Sequence, residues 1–150
     1  MSDFGAGKVS DQVILVARVL LVILFLVFGW SKLSDFSGTV DYMAKAGLPA
    51  PQLAALVAIA IELPVSAALV FGVWTRPLSI LLALYALATA IVGHPYWSMA
   101  GAEQYDNMIN FYKNISISGG FLLLYVTGGG RFSLDARLRL SNGAHREGLS

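Results

Sequence analysis

Cysteine is absent from the 150-residue chain. That removes disulfides, Cys-ligated iron–sulfur or zinc sites and thiol exchange from what the chain can do alone, and leaves its redox compartment open. Charge is scarce as well: Asp, Glu, Lys and Arg make up 13% of the residues, against roughly 25% in a typical soluble domain. A net charge of +1 without clustered Lys and Arg excludes nucleic acid as a partner, because a phosphate-binding surface needs such clusters. The two histidines, His94 and His145, are isolated and form no haem-ligand pair. No glycine-rich phosphate loop and no Ser-His-Asp set occurs. Any redox chemistry must therefore come from a bound cofactor or a partner.

What is abundant is apolar surface, at 57% of residues, more than a single soluble domain of this size can hide. Four apolar segments stand out, at 13–30, 53–73, 78–93 and 108–126. About 20 residues span a hydrocarbon core of about 30 Å. The reading is an all-α membrane protein, a four-transmembrane-helix bundle forming one domain. The third segment is the shortest, but Thr75, Arg76 and Pro77 on one side and His94, Tyr96 and Trp97 on the other are suitable interfacial flanks. The first segment is expected to be retained, since its apolar run is too long for a signal peptide and no small-x-small site follows. Gly47 to Pro51 reads as a turn before the second span, and Gly128-Gly129-Gly130 as a helix stop. Beyond it, Ser133 is placed to N-cap a short amphipathic helix carrying Leu134, Leu138, Arg137 and Arg139.

Basic residues set the expected orientation. With four spans, Lys8, Arg76, Arg131, Arg137, Arg139 and Arg146 share one side, and only Lys32 and Lys45 occupy the other. Both termini are therefore expected in the cytoplasm of a bacterial cell, with the opposite face periplasmic.

Ionisable groups inside a bilayer cost several kcal/mol unless partnered, and each is a candidate functional residue. Arg18 falls roughly 9 Å into the first span, Glu62 roughly 15 Å into the second, and Lys113 roughly 5 Å from the level of Glu62, at about 1.5 Å per residue. A network of Arg18, Glu62 and Lys113 is geometrically open to them. Asn107, Asn110 and Asn114 share a helical face that Lys113 borders. Pro64 should bend the second span one turn from Glu62. At the outer mouth, Lys32 and His94 stand among aromatic residues, and histidine as a residue type exchanges protons near neutral pH. The ligand-binding or proton-exchange candidates are thus Arg18, Lys32, Glu62, His94, Asn110, Lys113 and Asn114. His94, Glu103 and Asp106 fit no metal-ligand spacing, so no metal is expected. His145 reads as a solvated residue. Gly29 and Gly119-Gly120 suit close helix packing.

The run from Arg18 to Phe36, which includes Phe28-Gly29-Trp30-Ser31-Lys32, is followed by Tyr42-Met43, Gly47-Leu48-Pro49 and the Glu62 span. Then come Gly72-Val73-Trp74-Thr75-Arg76, His94-Pro95-Tyr96-Trp97 and Asn107-Met108-Ile109-Asn110-Phe111-Tyr112-Lys113-Asn114. In that order the chain resembles the DoxX family of small four-helix bacterial inner-membrane proteins, from about Arg18 to Asp135. The resemblance implies four spans and an inner-membrane location. It also implies a link to quinone-dependent oxidation of sulfur compounds, as in subunits of thiosulfate:quinone oxidoreductase, or to membrane complexes that resist oxidative stress. One reading is a protein that binds a quinone or similar small apolar molecule and supports a soluble or membrane redox partner. The other is a non-catalytic scaffold, folding helper or small exporter whose buried charges hold helices together, with homo-oligomerisation open to either.

Overall fold

The computed structural model describes residues 6–138, with side chains from residue 10 onward. Arg139, His145 and Arg146 lie outside the described residues, as does the side chain of Lys8. Among the described residues the chain is helical with no strand. The first helix, α1 (Ala6–Ser34), begins before the apolar run and continues through it for 29 residues, a length of about 43 Å. Asp35 then breaks the helix and caps the next one, its carboxylate accepting the Gly38 N–H at 3.0 Å. That second helix, α2 (Phe36–Lys45), buries Met43 against Ala55 and Ala58.

Helix α3 (Pro51–Phe71) starts on a proline, whose fixed φ suits a first helical turn. Pro64 can donate no backbone hydrogen bond, and around it the helix widens into a π stretch at Ile61–Val65. The expected bend is realised as this local widening, with Glu62 inside it. Gly72, at φ 71°, ends α3 in the left-handed region, and a side chain there would collide with Ser133 and the Arg18 guanidinium. Only three residues separate α3 from α4 (Thr75–Gly93). A 3-10 turn at Tyr96–Ser98 leads into α5 (Gly101–Thr127). The chain then turns at Gly128 and folds back, and residues 134–138 form a helical turn. Ser133 caps that turn as expected, its hydroxyl accepting the Ala136 N–H at 3.2 Å.

The long helices alternate in direction. Gly29 of α1 faces Glu62 and Leu63 of α3, whereas Arg18, near the other end of α1, faces Gly72. Contacts from Arg76 to Val126, Ala83 to Ser118, Thr89 to Asn114 and His94 to Asn107 run antiparallel along α4 and α5. The core is an apolar plug of Val22, Phe25, Leu69, Leu82, Phe121 and Leu124. Phe25 packs on Phe121 at 5.5 Å and on Tyr85 at 6.2 Å between ring centroids.

The outside of the bundle is apolar too. Leu20, Val27, Leu56, Phe71, Leu84 and Leu123 are all more than half exposed. Water would penalise such a surface heavily, and lipid does not. Among the described residues, three helical stretches are long and apolar enough to cross a membrane: Ser10–Ser34, Pro51–Phe71 and Thr75–Ser98. Helix α5 is long enough, at 27 residues, but Asn107, Asn110, Lys113 and Asn114 make it less apolar than the other three.

Close approach of α1 to α3 depends on the missing side chain at Gly29, where a Cβ would lie 2.8 Å from the Cβ of Glu62. Gly120 admits Leu21 in the same way, whereas Gly119 faces open space. Gly29→Val is expected to lower the stability of the purified protein by about 1–3 kcal/mol, the usual range for overpacking. Gly119→Ala should leave it unchanged, and thermal unfolding in detergent measures both.

Candidate functional site

The π stretch of α3 carries Glu62 into the bundle, where the residue is 5% exposed. Its two carboxylate oxygens take donors from two other helices. The Lys32 ammonium of α1 donates to Oε2 at 2.7 Å, and the Tyr85 hydroxyl of α4 donates to Oε1 at 2.5 Å. Both hydrogen bonds are charge-assisted and short, the stronger class. Lys32 sits in the last turn of α1, where the helix dipole favours a cation. It also lies 5.6 Å from the centre of the Phe28 ring. Its side chain is 25% exposed against 7% for Glu62, so this pair joins the buried centre to the rim of the bundle.

The polar lining continues from there. Thr89, one turn beyond Tyr85, receives the Asn114 amide at 3.3 Å. His94 Nδ1 faces Asn107 Oδ1 at 3.0 Å, while the Asn107 amide donates to the Glu103 carbonyl. Lys113 donates to Asn110 at 2.6 Å, within its own helix. Tyr96, Trp97, Phe111 and Tyr112 form an edge-to-face cluster beside this end. Polar residues therefore line the half of the bundle toward His94, and the apolar plug closes the half below it.

The structure separates the three ionisable residues whose depths allow a network. Glu62 pairs with Lys32, Lys113 with Asn110, and Arg18 with neither. Lys32 reaches Glu62 because Gly29, one turn earlier, already touches the base of that side chain. Arg18 is 1% exposed and donates to the carbonyls of Gly129 at 2.6 Å and Phe132 at 3.0 Å. The glycine run is thus more than a helix stop: it brings carbonyls back to a cation buried in α1. Asp135 completes this second centre. Its carboxylate accepts the N–H groups of Trp74 and Thr75, both at 2.8 Å, capping α4 from a distant part of the chain. Trp74 has φ 47°, a conformation this contact holds in place.

Of the residues singled out from sequence, Lys32 and Glu62 come together, Asn114 and His94 line the same half of the bundle, and Arg18 belongs elsewhere. Tyr85 is not among them. The available signal is a tyrosine in the middle of an apolar span, away from the interface, where its hydroxyl must find a partner. Asp135 gives no such signal, because it lies in the polar tail. Two clefts, one by Arg76 and Arg131 and one between α1 and α5, open elsewhere and are not lined by Glu62, Lys32 or Tyr85.

A family model described as DoxX matches residues 13–95. Over 135 residues the chain is 49% identical to the inner membrane protein YphA of Escherichia coli (strain K12), covering 90% of this chain and 95% of that one. It is 38% identical over 131 residues to the inner membrane protein YqjF of the same organism, covering 87% and 95%. CatD of Bacillus subtilis (strain 168), whose name places it provisionally among the oxidoreductases, is 32% identical over 95 residues, 63% of this chain and 69% of that one. No solved structure matches.

Removing one member of a buried ion pair leaves the other unpaired, which is costlier than removing both. Lys32→Met is therefore expected to destabilise more than the double variant Lys32→Met with Glu62→Leu. A double-mutant cycle of unfolding free energies should give a coupling of about 2 kcal/mol, within the range for contacting residues. Additive effects would mean that the pair contributes nothing to stability.

Proposed function

The chain belongs to the DoxX family and is an integral inner-membrane protein, and from that premise we propose that it binds a quinone or similar small apolar molecule beside Glu62, as a subunit or accessory of a membrane redox system. The observation that carries this reading is the Tyr85–Glu62–Lys32 chain, which joins three helices at the π stretch. Such π segments recur at functional sites. A quinone presents two carbonyl acceptors, and the Lys32 ammonium keeps N–H donors for one of them beyond the one given to Glu62. The Tyr85 oxygen, its proton engaged by Glu62, can accept from a quinol hydroxyl. When bound it would supply the electron-carrying chemistry that a chain without cysteine lacks. Glu62 holds both donors in place and can exchange a proton with either. His94 would serve proton exchange nearer the rim, with Asn110, Lys113 and Asn114 as further polar lining. Oxidative-stress defence or sulfur oxidation is the setting this reading points to, with a redox partner, soluble or in the membrane, completing the electron path. The provisional oxidoreductase name of CatD agrees with it.

The same proposal takes α5 as a fourth crossing and puts both termini in the cytoplasm. In support, α5 pairs antiparallel with the apolar α4 from His94 to Arg76. Its polar residues Asn107 and Asn114 are turned toward α4. Arg76, Arg131 and Arg137 lie toward one end, in keeping with the bias of cytoplasmic loops.

A second reading rests on a specific observation as well. Both oxygens of Glu62 already have protein partners, which also fits helix-joining contacts in a scaffold, folding helper or small exporter, alone or as a homo-oligomer.

Extraction of small molecules from protein purified gently from its native membrane separates the two. Wild type is expected to yield a quinone, and Glu62→Gln and Tyr85→Phe to retain at least about tenfold less, the scale of one lost charge-assisted hydrogen bond. Bulk lipid in every sample, with only the melting temperature changed, would favour the scaffold. Topology has its own test, made clean by the absence of native cysteine. Ala46→Cys and Ala102→Cys should react with a membrane-impermeant maleimide added to spheroplasts, and Arg131→Cys only after the membrane is opened. Labelling of Arg131→Cys from outside would remove the fourth crossing or reverse the orientation.

A further inference from the structure

We infer that the end of the bundle near Arg18 holds an anionic phospholipid, with its headgroup phosphate in a basic cleft and one acyl chain in an adjoining apolar groove. The cleft, of about 480 Å3, is lined by Thr75, Arg76, Thr127, Gly129, Arg131 and Asp135 among others. Arg76 and Arg131 are both exposed, and neither guanidinium is in an ion pair among the described residues. Arg76 makes only a long contact, 3.4 Å, to the Val126 carbonyl. The acidic residues here are already engaged. Asp135 accepts two backbone N–H groups of the α4 start, and Asp11 accepts the Arg131 N–H at 3.0 Å. The carboxylates keep their charge, so the lining sets two arginines against Asp135 and is net positive. The Thr75 hydroxyl, in a residue 1% exposed, lines the same cleft without a hydrogen-bond partner among the described residues.

The groove, of about 470 Å3, runs between α1 and α5 and is walled by Ala17, Leu20, Leu24, Ile117 and Leu123 among others. Among the described residues no charged side chain lines it. The two spaces adjoin: Thr127 lines both, and Ile14 of the groove lies 3.3 Å from where a Cβ of Gly130, in the cleft, would stand. From Thr127 to Ile117 the groove follows α5 for about 15 Å at 1.5 Å per residue, half of a hydrocarbon core of about 30 Å and so the reach of one acyl chain. A soluble anion would use the arginines and leave the groove empty, and a neutral amphiphile would do the reverse. A membrane phospholipid with a net negative headgroup uses both, as basic pockets between transmembrane helices do. This site is separate from Glu62 and does not depend on the redox reading.

Native mass spectrometry of the full chain in detergent, with phosphatidylglycerol or phosphatidylcholine of identical acyl chains, tests the inference. Phosphatidylglycerol should bind the more tightly, and Arg76→Gln with Arg131→Gln should weaken it about thirtyfold, the scale expected for two basic contacts to an anionic lipid. Ala17→Phe, which fills the groove from an exposed position, should weaken both lipids. Lys45→Gln, far from the cleft, should change neither. A phosphatidylglycerol carrying a diazirine in its acyl chain should label residues 117–124, a readout that does not depend on any variant folding. Equal affinity for the two lipids, undiminished binding by the arginine double variant or by Ala17→Phe, labelling confined to other helices, or full displacement by inorganic phosphate would each overturn the assignment.

Discussion

Hydrocarbon offers no hydrogen-bond partner, so every polar group carried into the bilayer must be answered by another group of the protein. That constraint accounts for both polar centres of this bundle. Glu62 could not remain as a lone carboxylate at its depth, and Lys32 and Tyr85 arrive from two other helices to meet it. Arg18 could not remain as a lone guanidinium, and carbonyls from residues 129 and 132 return to it. Between the centres Val22, Phe25, Leu69, Leu82 and Phe121 fill the interior, and the buried Ser118 hydroxyl there is answered by the Ala83 carbonyl. The two polar centres are thus held apart by a largely apolar middle.

The helical character and the three most apolar spans are legible because they follow from run length and composition, which depend on the solvent rather than on detailed packing. The bend at Pro64 is legible for an equally local reason: a missing N–H acts within one turn. Gly29 is readable as a packing residue, since a glycine in an apolar helix has few other uses, but Gly119 has the same sequence signature and packs on nothing. Only the partner helix distinguishes them.

What escapes sequence reasoning is the pairing of side chains across helices. Depth along a helix can be counted, but rotation about its axis and the neighbour it faces cannot. Depth puts Lys113 near Glu62, yet the side chain turns to Asn110 on its own helix. Lys32 reads as a residue of the outer mouth and reaches inward, because a lysine stem spans more than a helical turn. Asp135 is the hardest case. Nothing in a polar tail marks one carboxylate as the cap of a helix that begins 60 residues earlier, and only the fold-back after Gly128 makes it so.

The contact between Arg18 and the Gly129 carbonyl also bears on how the protein is made. The two residues are 111 positions apart. At a synthesis rate of about 5–20 residues per second, a ribosome adds that stretch in roughly 6–20 s. For that interval the first helix holds a cation whose final partners do not yet exist, and lipid headgroups or the insertion machinery must accommodate it. The contact thus waits for residues 129–132.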